Sequence, residues 1–230
     1  MFSNTAMAVF IGLDGFRRGW VAVEIAPRRR TIAFWPDIDA LWARPFTRAA
    51  IDMPIGLPET GDRACDLAAR ALLRPHGARV FTGARRGLWA HGSQTLANRV
   101  LKARGEPMVS AQLWNLGPKI VEIDAAMTPA RQRRVIEAHP ELVFWRLNGR
   151  QPLPRKKDAE GLGLRRALLL RAGFTALDDW LDRARIGTGA KADDVIDACA
   201  MALAARDGRA CCPDGPAPRD ARGLKMQIWY

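Results

Sequence analysis

Cysteine is scarce and poorly placed for metal or disulfide chemistry. The four, Cys65, Cys199, Cys211 and Cys212, lie far apart or directly adjacent, and no Cys-x-x-Cys or Cys/His spacing occurs. A zinc site is therefore not expected, and a chain of 230 residues does not need a disulfide framework to hold its core. The expectation is a reduced, cytoplasmic protein. No stretch approaches the ~20 apolar residues that a membrane span needs, so a membrane is not an expected partner. The opening "MFSNTAMAVF" has no basic residue ahead of its apolar run, which continues toward Asp14. It reads as the lead into a first strand and not as a signal peptide. Internal repeats are absent too.

Negative charge is in short supply. Thirty-six Lys and Arg stand against 24 Asp and Glu, a net +12. The excess is uneven: from Arg63 to Arg104 there are nine basic residues and one acid, Asp66, a local +8. Clustering of this kind suits a polyanion, because neutralised phosphates release counterions. A solvated face in an arginine-rich protein is the bland alternative.

Runs of hydrophobicity outline one α/β domain. Residues 8–13 and 19–26 read as strands joined by a turn on Gly15 and Gly19, and 30–35 as a third strand. A short helix is expected over 37–46. The run "AAIDMPIGLP" (49–58) reads as a buried strand ended by Pro54, Gly56 and Pro58. Helical spacing follows at 61–73, then a loop rich in Gly and Arg to about 93. Residues 108–126 look helical with a break at Gly117-Pro118. A short strand and turn are expected over 133–142, and helices over 158–174 and 192–208, ending at glycines. The domain is set at 1–208, with a helical insertion at about 61–127. The tail is set at 209–230; its stretch 209–223 is rich in Pro, Gly and Arg and reads as mobile, and the closing "LKMQIWY" is a candidate to dock as a strand. This order implies a mixed sheet, antiparallel in its first three strands and parallel afterwards, flanked by helices.

Carboxylates stand where that pattern puts the ends of buried elements. Asp14 closes the first strand. Asp52 interrupts "AIDMPIG", where an apolar residue suits a core better. Glu137 sits within "VIEAHP". Asp194 and Asp197 open the alanine-rich "DDVIDACAMALAA" and, three apart, share one helical face. Acids converging in one place repel and are desolvated, and a divalent cation removes that cost. Magnesium and manganese suit oxygen ligands, and one or two such ions can activate water for phosphodiester cleavage. The bland readings are a turn-forming aspartate at Asp14 and first-turn helix residues at Asp193 and Asp194.

Asp14 at the end of a first strand, an acid on the next core strand and a late Asp-x-x-Asp helix resemble the ribonuclease H-like superfamily. "ADDVIDACAMALA" is similar to the terminal helix of Holliday-junction resolvases, with Asp194 and Asp197 on the matching acids. "GLDGFRRGWV", "DMPIGLP", "RACDLAAR", "SAQLWNLGPKIVEID", "EAHPELVFWRLNG" and "DDVIDACAMA" resemble, in one order, a bacterial family of unknown function described as predicted ribonuclease H-like nucleases. The chain departs from that family's pattern in the first turn, where Phe16 and Arg18 replace a cysteine and a glycine. The resemblance implies a ribonuclease H-like mixed sheet and a metal-dependent nuclease. Asp14, Asp52, Asp194 and Asp197 would then be metal ligands, and Glu137 a further ligand or water-positioning group.

Several other residues are candidates for substrate contact. Lys119 and Glu122 share a helical face, either as a phosphate-binding lysine with its orienting acid or as a surface ion pair. Gln112 precedes them. His139 lies near Glu137 and is a candidate proton shuttle or a turn histidine. Arg85 and Arg86, with Trp89 and Phe81, combine guanidiniums and aromatics as single-strand binders do, or else anchor a long loop. The run Arg155-Lys156-Lys157 is a candidate phosphate contact, with Lys157 taken as its contact residue. The expected activity is phosphodiester hydrolysis of nucleic acid, DNA or RNA, by one or two Mg2+ or Mn2+ ions, with a homodimer allowed. Two alternatives stand beside it. One is a non-catalytic nucleic-acid-binding protein on the same fold. The other, suggested by Asp-Gly-x-x-x-Gly, is an ATP-binding phosphotransferase similar to the sugar-kinase and actin group.

Overall fold

Three antiparallel strands start the chain: β1 (Phe10–Phe16), β2 (Gly19–Ala26) and β3 (Arg29–Trp35). The structure is a computed structural model in which residues 8–186 and 188–230 are described; the first seven residues of the expected lead-in and of the expected domain lie outside them. A one-turn helix α1 (Asp39–Trp42) precedes β4 (Arg48–Ile51), which returns parallel to β1. Four helices then fill the stretch read as an insertion: α2 (Ala64–Leu72), α3 (Gln94–Ala103), α4 (Ala111–Asn115) and α5 (Gly117–Ala126). The chain re-enters the sheet as β5 (Val135–Ala138), parallel to β4. Helices α6 (Pro140–Leu147), α7 (Ala159–Arg171), α8 (Leu177–Arg185) and α9 (Ala192–Asp207) follow. Two short strands, β6 (Cys211–Cys212) and β7 (Ile228–Trp229), complete a seven-stranded sheet in the order β3-β2-β1-β4-β5-β7-β6.

The fold is thus a mixed α/β sheet with an antiparallel start, parallel middle strands and helices on both faces. At its far edge β6 runs antiparallel to β7, an addition to the expected pattern. The sequence reading left 94–107 and 175–191 without an element, and α3 and α8 lie there. The strand expected to run to 58 stops at Ile51, because Pro54 and Pro58 cannot supply ladder donors. The helical break at 117–118 is displaced: α4 ends at Asn115 and Pro118 opens α5, in a first turn that does not need its missing N–H. Among the described residues no helix is long and apolar enough to cross a membrane.

Strand alternation divides two cores. Ile11, Leu13, Ala49, Ile51 and Val135 face one apolar layer, completed by Leu101, Leu113, Ile120 and Ile123 from α3, α4 and α5. Ala50, Ile136 and Ala138 face the other, under α2, α6, α7, α8 and α9. Helix α9 is buried along most of its length and packs on β1. Small side chains permit this. A Cβ on Gly12 would come within 2.0 Å of the Ala202 nitrogen and 2.3 Å of the Ala198 oxygen, so helix and strand meet backbone to backbone.

Candidate functional site

That close contact sets the geometry of the acids. Asp14 lies two residues beyond Gly12 on β1, on the same side of the sheet. The register Gly12↔Ala50 and Leu13↔Ile51 carries Asp14 and Asp52 to the next rung, and the Asp52 amide donates to the Leu13 carbonyl at 3.0 Å. Because Ala198 and Ala202 of α9 sit over Gly12, the first turns of α9 lie above the end of β1. Asp194 and Asp197 belong to those turns. Asp194 is fixed in the first turn of α9, its Oδ2 accepting from the Lys191 amide at 2.7 Å.

All four aspartates line one cavity of about 540 Å³, together with Met53, Phe81, Gln112, Glu137, His139, Lys156 and Lys157. Asp14 is only 6% exposed. Among the described residues neither the Asp14 nor the Asp52 side chain accepts a hydrogen bond. Burial, followed by repulsion from Asp52 and Asp197 at Asp14 and from Asp197 at Asp52, pushes both carboxyls well above the usual range. Burial likewise lifts Asp197 to about 6, against the pull of Lys156. The Lys156 Nζ stands 2.7 Å from Asp197 and 3.5 Å from Asp193. It was the neighbouring lysine, Lys157, that the sequence reading took as the contact residue. Both line the cavity, but Lys156 makes the ion pair.

Glu137 plays another part. Parity along β5 sets it with Val135 and not with Ala138, and its carboxylate is fully engaged. It pairs with both terminal nitrogens of Arg63, which is 1% exposed, and accepts from the Ile55 amide at 2.7 Å. Arg63 also reaches Asp66 at 3.1 Å. Cys65, Asp66 and Glu137 are the trio whose donor atoms lie within 4.8 Å of one another among the described residues, and the Arg63 guanidinium already supplies their positive charge. Glu137, expected as a metal ligand or water-positioning group, is held in the cavity wall by Arg63.

The other candidate contact residues fall in different places. Arg85 is buried, donating to the Gly61 carbonyl at 2.8 Å and the Pro107 carbonyl at 3.1 Å and pairing with Glu106 at 3.1 Å. Arg86 bridges Asp124 at 2.6 Å and Asp220 at 2.5 Å. Neither lines the carboxylate cavity. Trp89 is a loop anchor: its indole donates to the Trp114 carbonyl at 3.0 Å, pressed against Gly117 so closely that a Cβ there would meet it at 2.0 Å. Lys119 pairs with Glu122 at 2.8 Å and lies 4.7 Å above the Trp20 ring, its stem beside Gly15. Gln112 lines the cavity. His139 lines it too, but its Nδ1 caps α6 by accepting from the Glu141 amide at 3.2 Å. Burial pushes its imidazole down to about 4, so it is neutral near pH 7 and not poised as a shuttle there. Arg165, fully buried, makes two 2.8 Å bonds to Glu141, and Arg79 a third at 2.7 Å. Burial raises the Glu141 carboxyl, but these two arginines outweigh it and hold the group below the usual range. This second arginine–glutamate brace had no signal in the sequence.

The donor set suits a hard divalent cation: carboxylate oxygens facing one cavity, with Asp14 buried, Asp52 half-buried, and neither accepting a hydrogen bond among the described residues. An α/β protein with acids at the open ends of parallel strands is the class that fold and site define. The chain belongs to the family described as Protein of unknown function (DUF429), whose model matches residues 12–218. No curated protein and no solved structure matches it.

Proposed function

We propose that the protein is a metal-dependent phosphodiesterase of ribonuclease H-like type that acts on nucleic acid. One observation carries this reading: Asp14, buried, and Asp52, half-buried, end neighbouring strands in one cavity, without a hydrogen-bond partner among the described residues, beneath Asp194 and Asp197. A fold keeps such a costly arrangement only where something outside the chain completes it. Asp14, Asp52 and Asp197 would hold Mg2+ or Mn2+, with Asp194 at the rim. The bound ion would supply Lewis-acid stabilisation of the phosphoryl oxygens and a more acidic water.

The chain's own residues do the rest. Arg63 and Arg165 are buried counter-charges that fix Glu137 and Glu141, so the wall beside the aspartates does not collapse onto them. Lys157 and Gln112 line the mouth and would hold the phosphate and the adjoining nucleotide. The apolar side, with Met53 and Phe81, keeps bulk water from the reacting phosphate. A net charge of +12 draws a polyanion toward the site. The test is cleavage of single-stranded, duplex and branched nucleic acids in manganese by wild type, Asp14→Asn and Asp52→Asn. We expect each substitution to lower metal-dependent cleavage by about a hundredfold or more. Equal cleavage by the variants would refute the assignment, and binding without cleavage by wild type would favour a non-catalytic nucleic-acid-binding protein.

A further inference from the structure

Lys156 lies in an irregular stretch, 151–157, between α6 and α7, and reaches into the carboxylate cluster. Its Nζ donates to the Asp197 Oδ2 at 2.7 Å, with the Asp193 Oδ2 at 3.5 Å. The Asp197 carboxylate accepts from no other group among the described residues. Lys156 is also the cation that acts on all four of Asp14, Asp52, Asp194 and Asp197. Desolvation disfavours its charge, but Asp197 and Asp193 outweigh this and hold the ammonium protonated well above the usual lysine range. One ammonium thus meets the aspartate cluster at Asp197 and Asp193.

The two partners differ in freedom. Asp197 is carried by a helix packed backbone to backbone on β1, and it is 5% exposed. The Lys156 side chain is 36% exposed, on a flexible four-carbon stem, and its loop holds no helix or strand. A divalent ion seated among Asp14, Asp52 and Asp197 needs the same carboxylate, and two cations a few ångströms apart repel strongly at low dielectric. The acids cannot yield, so the lysine must.

We propose that Lys156 is the resident cation of the site: it occupies Asp197 in the metal-free protein and is displaced when a divalent ion binds. The inference rests on the carboxylate cluster being a metal site. It makes Lys156 a residue that sets metal affinity, because binding includes the cost of breaking its ion pair. A lysine that merely tied its loop to α9 would alter stability without touching metal affinity.

The experiment is calorimetric titration of manganese chloride into the chelator-treated full chain, for wild type, Lys156→Met and Lys156→Arg at neutral pH. Lys156→Met should bind manganese about tenfold more tightly, the effect of removing about 1.4 kcal/mol of competition. Lys156→Arg, which keeps the charge, should stay within about twofold of wild type. Lys156→Gln carries the same expectation as the methionine variant, should that variant not fold by circular dichroism. Binding by wild type with equal or weaker affinity in the uncharged variants would overturn the inference and leave the metal site standing. No binding by any of the proteins would overturn both.

Discussion

Asp14 and Asp52 work against the fold that holds them. Their carboxyls are raised by burial and by neighbouring acids, so the folded chain binds protons that the unfolded chain has released. Such groups favour the native state fully only below the ordinary carboxylate range, near 4, and that contribution is lost as pH rises through the folded values, about 6 for Asp197. The metal-free protein should therefore lose thermal stability between about pH 4 and pH 7. Asp52→Asn should melt several degrees above wild type at pH 7 in chelator and close to it at pH 4, at about 2–4 °C per kcal/mol for a chain of this size. A lower melting temperature for the variant at pH 7 would show that the aspartate has a partner after all. Arg63 has the opposite character. Arg63→Met strands two buried carboxylates, Glu137 and Asp66, and should cost about 3–5 kcal/mol in urea unfolding. At this scale the four aspartates were legible because each interrupts an apolar run. Arg63, Arg85, Arg86 and Lys156 were not. A cation gives no periodic sign of burial, and the partners of Arg86 lie 38 and 134 residues away.

Among the elements, the pairing of β1 with α9 matters most. Only a glycine at position 12 and alanines at 198 and 202 let strand and helix approach closely enough to bring Asp197 over Asp14. Gly12→Ala drives a methyl group into helix backbone and should cost about 3 kcal/mol or more, with weaker manganese binding where the protein still folds. Unchanged stability and unchanged binding would mean that α9 can shift without consequence for the site. The antiparallel start and the terminal helix could be read directly, from apolar runs joined by a glycine turn and from an apolar run bounded by acids and a glycine. Helices α3 and α8 were missed because few of their residues face a core. Two buried residues, Ala97 and Leu101, mark α3, and three, Leu177, Trp180 and Ala184, mark α8. With so thin an apolar stripe the polar residues dominate the pattern.

Over the whole molecule the tail ceases to be an appendage. Asp220 accepts from the Leu57 amide at 3.1 Å and from the Leu224 amide at 2.9 Å, and pairs with Arg86, while β7 extends the sheet beside β5. Asp220 thus anchors the stretch 209–223 that reads as mobile in the sequence. These contacts tie the far edge of the sheet to the long loop after β4. Arg86→Met should leave Asp220 unpaired and speed amide exchange across 218–229, read by mass spectrometry; unchanged exchange there would show that the strand pairing alone holds the tail. Sheet, helical insertion and tail together enclose a cavity in which Asp14, Asp52, Asp194 and Asp197 have, among the described residues, no hydrogen-bond partner except Lys156 at Asp197 and a backbone amide at Asp194. The claim on which the rest depends is that a divalent metal completes it. Its most direct measurement is a pair of melting curves, with and without millimolar manganese, on wild type and on the Asp14→Asn, Asp52→Asn double variant. At a hundredfold excess over the dissociation constant, wild type should gain about 2.7 kcal/mol, roughly 5–10 °C, and the double variant nothing. An equal rise in both proteins, or no rise in wild type, would contradict the account.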